Sequence, residues 1–229
     1  MVSIYLGNLL RAQFIERVNR FVCTVLLDGN IREVHLHDPG RLKELLVKGV
    51  PVLLREEPGP HRRTHYDMVI IYKNSTPVCC DSRVPNQLTK RALQDRALPE
   101  LPGYHKIIPE YSFQDSRLDF CLDNRILIEV KGVSLVRDDR ALFPDAPTSR
   151  GRRHLETLIS ATHQGYTCYV LFLVQRPDAS TFSPNRATDP QFAVTLQKAA
   201  QEGVNLLVYT STLQGTHIHL KEKITSIIL

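Results

Sequence analysis

Apolar and polar positions alternate with a period of two through much of the first third of the chain, and such runs predict half-buried strands. Residues 9–18 form the first. Residues 21–27 and 31–37 flank Asp28-Gly29-Asn30, a strong hairpin signal. Asp38-Pro39-Gly40 then breaks the sheet. Leu42, Leu45 and Leu46 recur at helical spacing, which predicts a short helix over 41–48 closed by Gly49. Further strands are expected at 50–55, 66–72 and 78–81. Five or six short strands with one helix predict a small Greek-key barrel of the OB type over residues 1–82, with an irregular α+β module as the alternative.

The pattern changes over residues 83–229. A helix is expected from Pro85 to about Leu98, capped by Asn86 or Ser82. A strand at 105–113 leads into a hairpin at 116–131, and a long loop covers 132–149. A helix over 150–164 closes at Gly165. Residues 166–174 are continuously apolar, as in a strand buried on both faces. A loop, a helix over 190–202 and a strand over 204–209 follow. This order predicts an α/β domain around a mixed sheet, so the chain as a whole is classed α+β.

The 116–131 hairpin carries the candidate chemistry. Alternation puts Leu118, Phe120 and Leu122 on one face and Arg117, Asp119 and Cys121 on the other. In the second strand Ile126, Ile128 and Val130 oppose Leu127, Glu129 and Lys131. Glu129 and Lys131 thus share a face of an otherwise apolar strand, where charge is costly unless it is paired or holds a metal. Asp119 joins them only with the right turn parity. A three-residue loop over Asp123, Asn124 and Arg125 sets it opposite Glu129, with Cβ atoms roughly 4.5–5.5 Å apart. A two-residue loop sets Leu118 there instead. Two carboxylates at that spacing suit Mg²⁺, and a lysine beside them can orient or deprotonate a water or face a phosphate. The spacing D-x9-E-x-K fits a plain cross-strand ion pair equally well.

Charge and cysteine usage narrow the setting. A formal net charge of +5 permits nucleic-acid binding without requiring it. The five cysteines are odd in number and form no C-x-x-C, which predicts buried thiols in a reducing compartment. The first apolar stretch lacks a basic start, and no run approaches the ~18 apolar residues of a membrane span, so a cytoplasmic protein without a membrane is expected. No glycine-rich phosphate loop or nucleophile elbow is present.

Other groups add to the hairpin. Glu110, one strand upstream, is a third candidate acid. Arg150, Arg152, Arg153 and His154 crowd a predicted helix start, where backbone N–H groups also attract phosphate; a solvated helix end is the alternative. Arg11, Arg17, Arg20 and Arg41 interleave with Tyr5, Phe14 and Phe21, a mixture suited to stacking on single strands and to phosphate contact. His35 and His37, like His217 and His219, share a strand face, but no third metal ligand stands at a recognisable spacing.

Several segments together resemble the sugar fermentation stimulation protein A (SfsA) family. They are Arg17 to Phe21, HLHDPGRLKELL from His35, Pro85-Asn86, SRLDF from Ser116, LIEVKGVSLV from Leu127, FPDAPTSRGRRHLETL from Phe143 and LFLVQR from Leu171. The resemblance covers residues 9–213 and leaves the tail without a clear counterpart. It implies an N-terminal OB-like β-barrel and a C-terminal α/β domain resembling PD-(D/E)xK nucleases. It also implies DNA binding and a link to sugar, notably maltose, metabolism. By motif, Asp119, Glu129 and Lys131 would be the catalytic set, and Asp119, Glu129 and Glu110 would hold Mg²⁺ or Mn²⁺. Arg17, Arg20, Arg41, Arg150, Arg152, Arg153 and His154 would face nucleic acid, with His35 and Asp145 as further signature positions. Val18 and Gly132 stand where many members have proline and serine. The expectation is a DNA-binding protein with a metal-dependent phosphodiesterase site; the alternative is a DNA-binding regulator without turnover. A homodimer is left open.

Overall fold

The computed structural model describes residues 2–229. Its strands and helices in chain order are β1 (Ser3–Tyr5), β2 (Leu9–Asn19), β3 (Val22–Leu27), β4 (Asn30–Leu36), β5 (Pro51–Glu56), β6 (Tyr66–Lys73), β7 (Thr76–Cys79) and α1 (Val84–Gln94). There follow β8 (Ile107–Phe113), β9 (Ser116–Leu122), β10 (Ile126–Val133), β11 (Val136–Arg137), β12 (Arg140–Phe143), α2 (Ser149–His163) and β13 (Thr167–Val174). The chain ends with β14 (Thr181–Pro184), α3 (Pro190–Gln201), β15 (Asn205–Gln214), β16 (His217–Lys223) and β17 (Ser226–Ile227).

The first unit is a six-stranded sheet in the order β4-β3-β2-β5-β6-β7, closed into a barrel by a parallel pairing of β4 with β6. The long strand β2 serves both halves, and bulges after Phe14 and Arg17 give it the bend that closure needs. The second unit is a mixed seven-stranded sheet in the order β1-β16-β15-β13-β10-β9-β8. Its central strand β13 is buried on both faces. Cys168, Val170, Phe172 and Val174 pack with α2 and α3, while Tyr169, Leu171 and Leu173 pack with α1.

The α1-side core does not stop at the domain boundary. Val69, Ile70 and Cys79 of the barrel pack into it beside Leu88 and Leu171. Cys79 and Cys80 alternate as a strand requires, one into this shared core and the other into the barrel interior. All five thiols are free and buried, as expected. Gln175 adds a polar seam, its Nε2 donating to the Cys79 carbonyl at 2.6 Å while its backbone carbonyl accepts the Cys79 N–H at 2.9 Å.

Several expectations are corrected. Residues 3–5 belong to the second sheet, where β1 pairs antiparallel with β16, so the barrel does not begin at residue 1. No helix forms over 41–48. Leu42 sits at a φ of +48°, a left-handed conformation that ends helical geometry at once. Leu42 and Leu45 are nonetheless buried and Leu46 half-buried, because a run of turns presents them to the barrel core. The loop expected at 132–149 contains β11 and β12, and the tail contains β16 and β17. β16 joins the seven-stranded sheet, while β11, β12 and β17 form, with β14, a separate four-stranded sheet in the order β11-β12-β14-β17. Helix α1 has Arg83 at its N-cap without a side-chain cap, and both Ser82 and Asn86 bond elsewhere.

A buried ionic cluster ties the barrel to the start of α1. Asp67 is fully buried and meets Arg62, His37 at 2.9 Å, Arg83 at 2.8 Å and Arg55 at 3.2 Å. Burial opposes ionisation of Asp67, but its partners outweigh burial and hold the carboxyl down to about 2 from 3.8. Because the folded value lies below the unfolded one, the stabilisation is present above pH ~4 and is lost as pH falls towards 2. Asp67→Asn should lower the unfolding free energy by roughly 2–4 kcal/mol, somewhat under the loss from a fully dry pair because the arginines reach water. Urea titrations at pH 7 and pH 3 check this, and the variant should be much less acid-dependent than the parent.

Candidate active site in the inter-domain cleft

The turn between β9 and β10 spans Asp123, Asn124 and Arg125, and both Asp123 and Asn124 adopt positive φ. The three-residue parity therefore holds. Ile126 pairs with Leu122, Leu127 with Cys121 and Ile128 with Phe120. Continued by one step, that register sets Asp119 level with Glu129. There the ladder ends, and the Asp119 carboxylate takes over from backbone pairing: its Oδ2 accepts the Val130 N–H at 2.7 Å and its Oδ1 accepts from Asn86 Nδ2 at 2.6 Å. Strand alternation also breaks at this point. Leu118 packs with Cys121 and Leu127 on the α2 side, not with Phe120 and Leu122 as expected.

Glu129 points toward α2, and its surroundings explain how a buried carboxylate persists there. Lys131 Nζ donates to Oε1, and His154 Nδ1 meets the same oxygen from the first turns of α2. On the other side of the ring, Arg150 Nε lies 3.3 Å from His154 Nε2. Burial alone would push the Glu129 carboxyl up, but Lys131 and then His154 outweigh it and hold it below the usual glutamate range. Its second oxygen, Oε2, is buried without a hydrogen-bond partner. Asp119 goes the other way: burial, and next the charge of Glu129, push it up to about 6 from 3.8.

These groups line a cleft of about 590 Å³ between the two units. Arg20 enters from the barrel, Asp145 from the segment leading into α2, and Arg150 and His154 from the first turns of α2 itself. Gly40, in a barrel loop, touches the Asp145 carboxylate so closely that an added Cβ would lie 2.3 Å from Oδ2. That oxygen accepts the Arg41 N–H at 2.8 Å and the Leu42 N–H at 3.4 Å. This contact pins the left-handed turn that replaces the expected helix. Burial pushes Asp38, on the same loop, up to about 6.

The remaining candidates lie elsewhere or act indirectly. Glu110 stands opposite Asp119 in register, but its φ of +54° breaks the pleat. Its side chain is 55% exposed, pairs with Arg117 at 2.8 Å and does not line the cleft. Arg17 is occupied with the carbonyls of Gly40, Arg41, Arg20 and Asp38, so it shapes the loop instead of facing solvent. Arg152 is tied to Asp189 at 3.0 Å. Arg153 and Arg41 are exposed outside the cleft lining. His35 stacks on Phe21, and His37 bonds Asp67. Among the described residues no three His, Cys, Asp or Glu side chains converge as a metal site. The donor set is instead two carboxylates with one unpartnered buried oxygen, which suits an ion that completes its shell with water or phosphate.

Sequence reasoning missed two residues. Asn86 orients Asp119, and Gln175 lines the cleft with a buried, unpartnered Oε1. Gln175 had a signal: it is the polar residue that closes an apolar parallel strand, and ligands gather at such carboxyl ends.

A family model described as the SfsA N-terminal OB domain matches residues 15–80, and one described as the sugar fermentation stimulation protein RE domain matches residues 83–217. The chain belongs to the sugar fermentation stimulation protein family. A homolog from Methanothermobacter thermautotrophicus is 44% identical over 213 residues, covering 92% of this chain and 89% of its own. One from Clostridium botulinum is 40% identical over 216 residues, covering 93% and 94%. Among solved structures, SfsA of Pyrococcus furiosus, described in complex with Ca²⁺, superposes with a TM-score of 0.92 at 26% identity and covers both chains fully. The barrel followed by an α/β domain is thus the family's architecture.

The raised Asp119 value has a consequence for stability. The folded state holds this proton more tightly than the unfolded one, so stability falls as pH rises from about 4 to about 6, and ionised Asp119 is a burden above that. Asp119→Asn should therefore stabilise the protein by on the order of 1–2 kcal/mol at pH 8 and by almost nothing at pH 4. Thermal melts at both pH values check this; an equal effect at the two would contradict it.

Proposed function

We propose that this chain is a DNA-binding protein that receives the sugar-phosphate backbone in the inter-domain cleft and serves the regulation of sugar, notably maltose, metabolism. One observation carries the reading. Arg20 of the barrel and Lys131, Arg150 and His154 of the second domain converge on the same cleft as Asp119 and Glu129. Each domain alone would offer only part of that surface.

The cleft is not simply basic. Among the described residues Asp38, Asp119, Glu129 and Asp145 line it against Arg20, Lys131 and Arg150. Acids facing a polyanion repel it unless a divalent cation lies between them. Asp119 and Glu129 would hold that cation, Oε2 of Glu129 being the unpartnered acceptor. When bound, such an ion supplies charge neutralisation and Lewis-acid polarisation at a phosphate or a water. Lys131 and His154 keep Glu129 ionised and aimed, and Arg150 abuts the far side of the His154 ring.

A second reading is phosphodiester hydrolysis on a PD-(D/E)xK-like fold. It is favoured by Lys131, whose ammonium sits beside Glu129 where it can orient an attacking water or face the developing phosphate charge. The Pyrococcus furiosus relative is described in complex with Ca²⁺, which supports a divalent cation as a ligand under either reading.

Gel retardation with plasmid, linear and single-stranded DNA in Mg²⁺, Mn²⁺ or EDTA tests both. Retardation should need the cation, should weaken steeply between 50 and 200 mM salt as counterions are released, and should lose about one unit of salt slope in Arg150→Ala. Binding that ignores salt would refute the DNA reading in favour of a small-molecule ligand. Cut DNA that requires both the cation and Asp119 would establish hydrolysis, whereas complexes that stay uncut in every lane containing the cation would leave a regulator.

A further inference from the structure

The barrel carries an aromatic surface beside the cleft. Phe21 stands in the turn between β2 and β3 with 42% of its surface exposed. His35 of β4 lies nearly parallel to it, with ring centroids 6.1 Å apart and planes 20° apart. The Arg20 guanidinium lies over the Phe21 ring, 5.3 Å from its centroid. Arg20 also lines the cleft with Asp119, Glu129 and Lys131, so this row of flat groups runs onto the rim of the candidate site.

The turn is held in place while its flat groups remain unengaged. Asn19 Oδ1 accepts the N–H groups of Phe21 at 2.9 Å and Val22 at 3.0 Å. The Leu36 N–H donates to the Phe21 carbonyl at 2.9 Å, and Arg17 donates to the Arg20 carbonyl at 2.6 Å. Among the described residues the Arg20 guanidinium makes no hydrogen bond or ion pair, so it can leave the ring at small cost. Burial, and then His37, lower the His35 pKa, which keeps its ring uncharged near neutral pH. Phe21 takes no part in the barrel core. An exposed phenyl on a fixed turn, flanked by a flat imidazole and a mobile guanidinium, matches what an unpaired nucleobase stacks on. Bases within a duplex are already stacked on each other and offer only edges and phosphates.

We propose that Arg20, Phe21 and His35 form a base-stacking platform that gives the cleft a preference for DNA with an unpaired stretch. The base lies on Phe21, and Arg20 turns to the phosphate that leads toward Lys131. This rests on the DNA-binding reading and adds the form of DNA that is taken.

The test uses the full chain and fluorescein-labelled single-stranded, duplex and overhang oligonucleotides, with anisotropy read in Ca²⁺ buffer. Phe21→Ala should weaken single-strand and overhang binding by roughly five- to a hundredfold and duplex binding by less than about twofold. Phe21→Trp should keep single-strand affinity. The chain contains no tryptophan, so the introduced indole is the only one present, and a single strand should quench its emission far more than a duplex does. Equal losses on both DNA forms, no loss on either, or an indole that a single strand leaves unquenched would overturn the platform. If the parent protein binds neither form, the DNA-binding reading fails and takes the platform with it. If the parent binds duplex and Phe21→Ala binds single strands undiminished, the platform alone is refuted.

Discussion

Glu129 is a carboxylate kept ionised in a nearly dry place, and the organisation of the cleft follows from that. A lone buried carboxylate would take up a proton. Lys131, two residues along the same strand, and His154, one helix away, prevent this by converging on one oxygen. The other oxygen is left buried and unpartnered. Asp119, held level with it by the hairpin register, is destabilised by the same burial and by the Glu129 charge. Two neighbouring acids that respond oppositely to one environment mark a site arranged for charge instead of packing.

The fold supplies the rigidity that this arrangement needs. β10 lies between β9 and β13 inside the second sheet, with Glu129 paired to Val170 of β13 and the β9 ladder ending one residue before it, so its backbone is held in place. The α1-side core extends into the barrel through Val69, Ile70 and Cys79, and Gln175 bonds the Cys79 backbone from the other domain. Asp145 then holds the Arg41 and Leu42 amides across the cleft. The barrel is thereby fixed with Arg20 on the cleft rim. Position, more than net charge, makes the barrel part of the candidate site.

Much of this was legible in the sequence because its signals are local. Alternation marks β2 to β7 and the 116–131 hairpin, but it left the turn parity open, and the pairing of Ile126 with Leu122 decides for the three-residue turn that brings Asp119 to Glu129. Continuous apolar character marks β13. What escaped depends on distant partners. The leucines at 42, 45 and 46 have helical spacing, but a carboxylate more than a hundred residues away captures the amides and turns Leu42 left-handed. Glu110 was a reasonable third acid by strand spacing, and one positive φ removes it from the cleft. The strand of residues 3–5 joins a sheet whose partner lies near the other end of the chain, which no local pattern announces. The resemblance of the motifs to the sugar fermentation stimulation family reached further than periodicity did in one respect, since it implied the order of barrel and α/β domain that the family models match.

The most direct measurement is a Mn²⁺ titration followed by water-proton relaxation, comparing the parent protein with Glu129→Gln, which keeps the shape of the side chain and removes its charge. An ion seated on Asp119 and the free oxygen of Glu129 predicts one site per chain in the parent and at least tenfold weaker binding in the variant. A parent that binds no ion, or a variant that binds as tightly as the parent, would contradict it.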